Sequence, residues 1–292
     1  MKTSFITTVL NEEKNIKGLL DSLDKQTQKP SEVIIVDAGS TDKTISIIKK
    51  YPKKSFPIKL IIKKGLNRSQ ARNLAVSKAN HNLIAASDAG CVLDENWLKR
   101  IIEPLENKSI DSVAGFYHVQ TKTIFQKCVA PFVAVMPDKF DVEKFLPSSR
   151  SIAFRKTAWQ KAGKYPENFN YCEDLIFAVN LKQNTNMVVK SSAIVYWHQA
   201  ANLVQFFKQI KNYAQGDMKA KYRPHLKKIY LRFLSYLIFI FFPSFLLFYL
   251  FYPIFKHFHY IKHPLAFFYL PVIQITLDLA IISGVVKYLI CH

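Results

Sequence analysis

Glycine is scarce, 8 in 292 residues, and no Gly/Ser-rich stretch, internal repeat or low-complexity segment interrupts the chain. Flexible-linker and fibrous architectures are therefore excluded. Cysteine is equally sparse: Cys91, Cys128, Cys172 and Cys291 share no close spacing, so neither a disulfide framework nor a CxxC zinc site is indicated, and a reducing compartment is expected. Acidic residues are also few, 21 against 41 Lys and Arg. A formal charge of +20 on a chain that is 49% hydrophobic excludes disorder and a simple nucleic-acid-binding tail. The apolar run Phe5 to Leu10 is too short for a secretory leader and meets Asn11-Glu12-Glu13-Lys14 at once.

Charge and hydrophobicity are unevenly placed. Residues 1–222 hold 34 of the basic and 20 of the acidic residues, and they are expected to form a cytoplasmic domain. Residues 223–292 are expected to form a membrane region. From Phe233 to Phe255 there is no charge, and at about 1.5 Å per residue this stretch is long enough for a hydrocarbon core of about 30 Å. A second apolar stretch, 264–286, is interrupted only by Asp278. Together they predict a transmembrane hairpin of two helices, 233–255 and 264–286, in a multi-pass protein of the cell membrane. Lys219, Lys221, Arg223, Lys227, Lys228 and Arg232 precede the first span and place the large N-terminal part on the cytoplasmic side. Residues 206–232 mix Phe206, Phe207, Ile210 and Tyr213 with lysines and read as an interfacial amphipathic helix.

In the N-terminal part, short apolar runs at 4–10, 32–37, 58–63 and 82–88 alternate with helical spacing from Glu12, Asp42 and Arg68. The series predicts an α/β fold with a mostly parallel sheet flanked by helices, whose ligands bind beyond the carboxyl ends of the strands. Those ends carry Asn11-Glu12-Glu13, Asp37-Ala38-Gly39-Ser40-Thr41-Asp42 and Asp88-Ala89-Gly90. Capping explains some of these residues, with Asn11 and Ser40 or Thr41 as helix N-caps. It does not explain an acid at the end of a buried hydrophobic strand twice over. Arg68 and Arg72, four apart, share a helix face that suits a phosphate.

The segments TVLNEEKNI, EVIIVDAGSTDKT, GLNRSQARNLAVSKAN and IAASDAGCVLDENWL resemble the nucleotide-sugar-binding half of family 2 glycosyltransferases, which have the GT-A fold. The resemblance implies that Asp37 hydrogen-bonds the nucleotide base. It implies that Thr8, Asn11 and Glu12 line the base and ribose pocket, and that Gly39, Arg68, Arg72, Asn73 and Ser87 complete the donor site. It assigns Asp88 to a DxD-type motif holding Mg²⁺ or Mn²⁺ on the diphosphate; Gly90 stands where many relatives have a second acid. A hard oxygen ligand on a divalent ion suits a diphosphate leaving group. Asp94, one turn on, either compensates or caps the helix near Glu95. His198, after a strand-like run, is a further candidate for metal or phosphate.

Ser149–Arg155, Gly163–Glu167 and Glu173-Asp174 resemble the family's acceptor half, where the aspartate of the ED motif is the general base of inverting members. That role falls on Asp174, with Glu173 in support. A base is needed because a sugar hydroxyl is a poor nucleophile until it loses its proton. QIKNY at 209–213 lacks the Arg and Trp of processive members, which argues against a polymerase. The expectation is an inverting transferase that moves one sugar from a nucleotide donor to a hydroxyl of a lipid-linked or glycan acceptor, in contact with membrane lipid and not with nucleic acid. The alternatives are a polyprenyl-phosphate sugar synthase and an inactive scaffold or polyanion-binding membrane protein.

Overall fold

A computed structural model describes residues 1–52 and 55–291. In chain order the elements are β1 (Thr3–Val9), α1 (Ile16–Asp24), β2 (Glu32–Asp37), α2 (Thr44–Lys50), β3 (Ile58–Ile62), α3 (Arg68–Ser77), β4 (Leu83–Ala86), β5 (Cys91–Leu93), α4 (Trp97–Ile102) and β6 (Ser112–Gln120). They continue with α5 (Ile124–Val133), β7 (Ile152–Arg155), α6 (Lys156–Lys161), α7 (Glu173–Asn184), β8 (Met187–His198), α8 (Leu203–Ala220), α9 (Arg223–Phe241), α10 (Ser244–Ile261) and α11 (Ala266–Cys291). The chain divides into two compact units, residues 1–118 with 141–198, and residues 119–140 with 199–292. Phe206 and Ile210 of α8 pack in the core of the second unit.

The first unit is built on one mixed sheet of order β3-β2-β1-β4-β7-β6-β8-β5. Strands β3, β2, β1 and β4 are parallel, as the continuous apolar runs predict, whereas β7 pairs antiparallel with both β4 and β6. The pleat sends Phe5, Val33 and Ile35 to one core and Ile6, Ile34 and Val36 to the other, so β1 and β2 are covered on both faces. Gly115 is required inside β6: a Cβ there would sit 2.0 Å from Ser151 Oγ and 2.8 Å from the Ala193 carbonyl.

The second unit is helical. Residues 233–255 do not form one membrane helix: α9 ends at Phe241, Phe242 takes φ −133° and ψ 77°, and α10 starts after Pro243. Proline has no N–H to continue the helical ladder, which accounts for the break. Only α11 among the described helices is long and apolar enough to cross a membrane, and 44% of its most apolar window is buried inside the protein. The expected amphipathic segment 206–232 is likewise two helices, parted at Lys221, which has φ 50°. In this unit Gln209 Nε2 donates to the Tyr213 hydroxyl (3.1 Å), so the QIKNY motif closes on itself.

Candidate active site

The parallel strands end together, and their following loops are tied to one another. Asn11, at φ 57°, donates its N–H to Ser40 Oγ (2.9 Å) and accepts from the Thr41 N–H at Oδ1 (2.9 Å). Glu12 donates its N–H to Thr44 Oγ1 (2.8 Å). Neither Asn11 nor Ser40 is a helix cap: α1 begins only at Ile16, and the N-cap of α2 is Lys43, so these polar side chains build the rim instead. Burial pushes the Glu12 carboxyl above its ordinary range. Thr8 lies half-buried beside Val36 of β2.

Asp37 is completely buried at the end of β2. Its Oδ1 accepts from the N–H groups of Gly39 and Ser40, both at 2.8 Å, while its Oδ2 has no hydrogen-bond partner among the described residues. An orphaned buried acceptor is costly unless a ligand completes it. Gly39 makes the turn that aims this carboxylate; it has φ 113°, and a Cβ would press on Lys64 at 3.2–3.3 Å.

A second group joins α3, the end of β4 and the start of α7. Arg72, with only 5% of its side chain exposed, donates to Asp88 Oδ1 and to Glu173 Oε1, each at 2.7 Å. Its guanidinium also stands over the Tyr165 ring, 5.4 Å from the centroid. Arg68 reaches the same Glu173 oxygen at 3.4 Å but leaves 53% of its side chain in solvent. The two arginines thus share a face, as their spacing predicts, yet differ in what they have free. Asn73 has nothing free. Its amide donates to the Tyr165 carbonyl (2.9 Å) and Glu167 Oε1 (2.8 Å), and its oxygen accepts from Trp159 Nε1 and the Tyr165 N–H, both at 3.0 Å. It fixes the 159–167 turn and has no valence left for a donor molecule. Ser87 is buried beneath the same rim.

Glu173 is 2% exposed, with one carboxylate oxygen spent on the two arginines, which makes it a support for Arg72 rather than a group that meets substrate. Asp174 is half-buried and accepts from the Leu175 N–H (3.0 Å) at the first turn of α7. Burial, then the neighbouring Glu173 charge, raises its pKa. Cys172 before it holds φ 61°, a left-handed conformation that costs an ordinary residue energy and that sets the direction of the Glu173-Asp174 pair.

Asp88 leaves 33% of its side chain exposed. Burial works against its charge, but Arg72, Arg150 and Arg68 outweigh it and hold its carboxyl below the usual range. The His198 N–H donates to the Gly90 carbonyl (3.1 Å), which fixes the end of β8 against the Asp88-Ala89-Gly90 turn. Among the described residues no three His, Cys, Asp or Glu side chains are grouped so as to hold a metal ion by themselves. Asp88 and His198 therefore fit a divalent ion only if the ligand brings most of the oxygens, as a diphosphate does. Asp94 does not compensate for Gly90: it accepts from the Asn96 N–H (3.1 Å) and pairs with Arg100 (3.1 Å), and the N-cap of α4 is Asn96.

Arg150 was not singled out by sequence. Its guanidinium lies 3.8 Å from the centroid of the Trp197 ring and 5.2 Å from that of Tyr117, and its charge acts on both Asp88 and Asp174. The available signal was an arginine between Ser149 and Ser151, just before the buried strand Ile152–Phe154.

These features define an α/β protein of GT-A-like fold with charged groups gathered beyond its strand ends. The chain belongs to glycosyl transferase family 2, whose model matches residues 4–159. It is 24% identical over 212 residues to the O-antigen chain rhamnosyltransferase RfbN of Salmonella typhimurium, covering 68% of this chain and 66% of that one. The chain thus spans just under two thirds of the length of that relative. Among solved structures it is similar to Staphylococcus aureus TarS 1–349 in complex with UDP-GlcNAc (TM-score 0.56, 21% identity, 73% of this chain and 66% of that one). It is also similar to the mannosyltransferase PcManGT of Pyrobaculum calidifontis in complex with GDP-Man and Mn²⁺ (TM-score 0.63, 16% identity, 99% and 87%).

Proposed function

We propose that this chain moves a single sugar, with inversion, from a nucleotide-diphosphate donor to a hydroxyl of a lipid-linked glycan at the cytoplasmic membrane face. The observation that carries the proposal is the Arg72 clasp. On one guanidinium it holds Asp88, a carboxylate suited to a divalent ion on the diphosphate, and Glu173, the support of the base Asp174.

In this reading the buried Asp37 Oδ2 accepts from the donor base, and Asn11, Thr8, Glu12 and Gly39 shape the pocket around it. Arg68, with its exposed guanidinium, reaches the phosphates, while Arg72 stays bound to its two carboxylates. Asp88, with His198, would hold Mg²⁺ or Mn²⁺, which when bound neutralises charge developing on the diphosphate. Asp174 takes the proton of the attacking hydroxyl; its raised pKa makes it a better base than an ordinary aspartate. The relative named for O-antigen synthesis and the exposed apolar surface of the second unit support a lipid-linked acceptor.

The test is thermal stabilisation of detergent-purified protein by UDP-, GDP-, dTDP- and CMP-sugars, with and without Mn²⁺ or Mg²⁺, repeated on Asp88→Ala. A donor at 100 times its dissociation constant stabilises by about 2.7 kcal/mol. One nucleotide class should stabilise in a metal- and Asp88-dependent way. No shift with any donor, in folded protein, overturns the proposal. Intact transfer by Asp174→Asn would assign the acceptor as a lipid phosphate, an oxyanion that needs no base.

A further inference from the structure

The second unit carries its own geometry for lipid. Helices α9 and α10 fold back on each other across Phe242 and Pro243: Arg232 Nη1 donates to the Tyr249 hydroxyl (2.9 Å), and the Phe239 and Tyr249 rings lie 5.0 Å apart. The tip of this hairpin presents Ile240, Phe241, Phe242, Phe245, Leu247 and Phe248, with Phe241 76% and Phe248 75% exposed. The charge-free legs are Phe233–Phe241 and Ser244–Phe255, nine and twelve residues. At about 1.5 Å per residue they reach roughly 14 and 18 Å, half of a hydrocarbon core of about 30 Å. Cations stand at the open end of each leg, Arg223, Lys227 and Lys228 on one and Lys256 and Lys262 on the other. The first polar residue inward, Arg232, is paired with Asp278 of α11, which also accepts from Tyr249 and Gln274.

Helix α11 is long and apolar enough to span, but one face is sheathed. A Cβ on Gly284 would sit 2.5 Å from the Lys211 carbonyl and 2.7 Å from Ala214, so α8 lies directly on it. Helix α8 carries Lys208, Lys211, Asp217 and Lys219, a charge load that hydrocarbon excludes.

We infer that the chain is anchored in one leaflet only: the α9–α10 hairpin buries its aromatic tip to mid-bilayer, its basic ends sit at anionic headgroups, and no helix of the second unit crosses. Lys227, Lys262 and Cys291 then all face the same side of the membrane, an arrangement that does not depend on which sugar is transferred.

The test labels full-length protein in sealed inverted membrane vesicles with a membrane-impermeant maleimide. The probes are Lys227→Cys and Lys262→Cys in a Cys172→Ser, Cys291→Ser background, and native Cys291 in Cys172→Ser alone. Cys91 and Cys128 are buried and stay silent. Labelling in detergent confirms that each site is reactive, and the native Cys291 probe leaves the hairpin unaltered. The expected result is labelling of all three from one face, with the protein retained after carbonate washing. Opposite faces for 227 and 262 would show that residues 233–255 open into a single span, and opposite faces for 262 and 291 that α11 crosses. Loss of the protein on washing, or a site labelled only in detergent, also overturns the inference.

Discussion

At the scale of single residues, Arg72 is the most consequential side chain of the first unit. Glu173 is buried behind it, so Arg72→Ala leaves an interior carboxylate with only the 3.4 Å contact to Arg68, and breaking such a buried pair typically costs about 3–5 kcal/mol. Denaturant unfolding should show a loss of that order, and the double variant with Glu173→Gln should recover part of it. Asp174→Asn should lower turnover by about 10²–10⁴-fold, the range of a general base, with donor affinity unchanged in equilibrium binding. The pH dependence follows from the direction of each shift. The raised pKa of Asp174 means that its charged form is disfavoured by folding, so the fold loses stability as pH rises from the ordinary aspartate value through the folded one. Asp88, held low, contributes stability above the ordinary value that is lost as pH falls toward its folded pKa. The acid limb of the rate profile should therefore lie above that of a free aspartate, and Asp174→Asn should abolish that limb.

At the scale of elements, the loop after β2 depends on one backbone conformation. Gly39→Ala must hold φ 113° with a methyl against Lys64, a strain of about 1–3 kcal/mol, and titration of the donor should show weaker binding without loss of the sheet. The four parallel strands, and the acids that close them, were legible because buried runs bounded by polar residues have few other solutions. The antiparallel strands β5 to β8 were less so, since Cys91–Leu93 is three residues long and finds its partner Val195–Trp197 a hundred positions later. Asn73 illustrates the same limit. Its place beside two arginines suggested ligand contact, yet its four partners lie 86 to 94 residues away and consume its whole amide. Four prolines lie in the apolar stretches; Pro243 separates helices α9 and α10, and Pro264 lies between helices α10 and α11. Pro253 and Pro271 sit inside continuous ones, a distinction set by packing that composition does not carry.

At the scale of the whole molecule, the polypeptide passes between the two units three times, after His118, after Phe140 and after His198. Neither unit is a single stretch of chain. Truncation after His198 should leave α5 with Phe125, Cys128, Val129 and Phe132 stripped of the helices that cover them, and size-exclusion chromatography should show association instead of a monodisperse protein. Gly284→Leu, which forces a side chain into the α8 backbone, should produce the same exposure in full-length protein. The interleaving also has a consequence in time. Residues 119–140 leave the ribosome well before Ala266, Leu270 and Ile273 of α11, which share their core. At roughly 5–20 residues per second, the intervening chain takes on the order of 6 to 25 seconds to synthesise. Within that interval the first unit completes its sequence at residue 198, while the apolar helix α5 still waits for partners not yet made. Delivery of the nascent chain to a lipid surface or a chaperone within those seconds decides whether the helix is covered or aggregates.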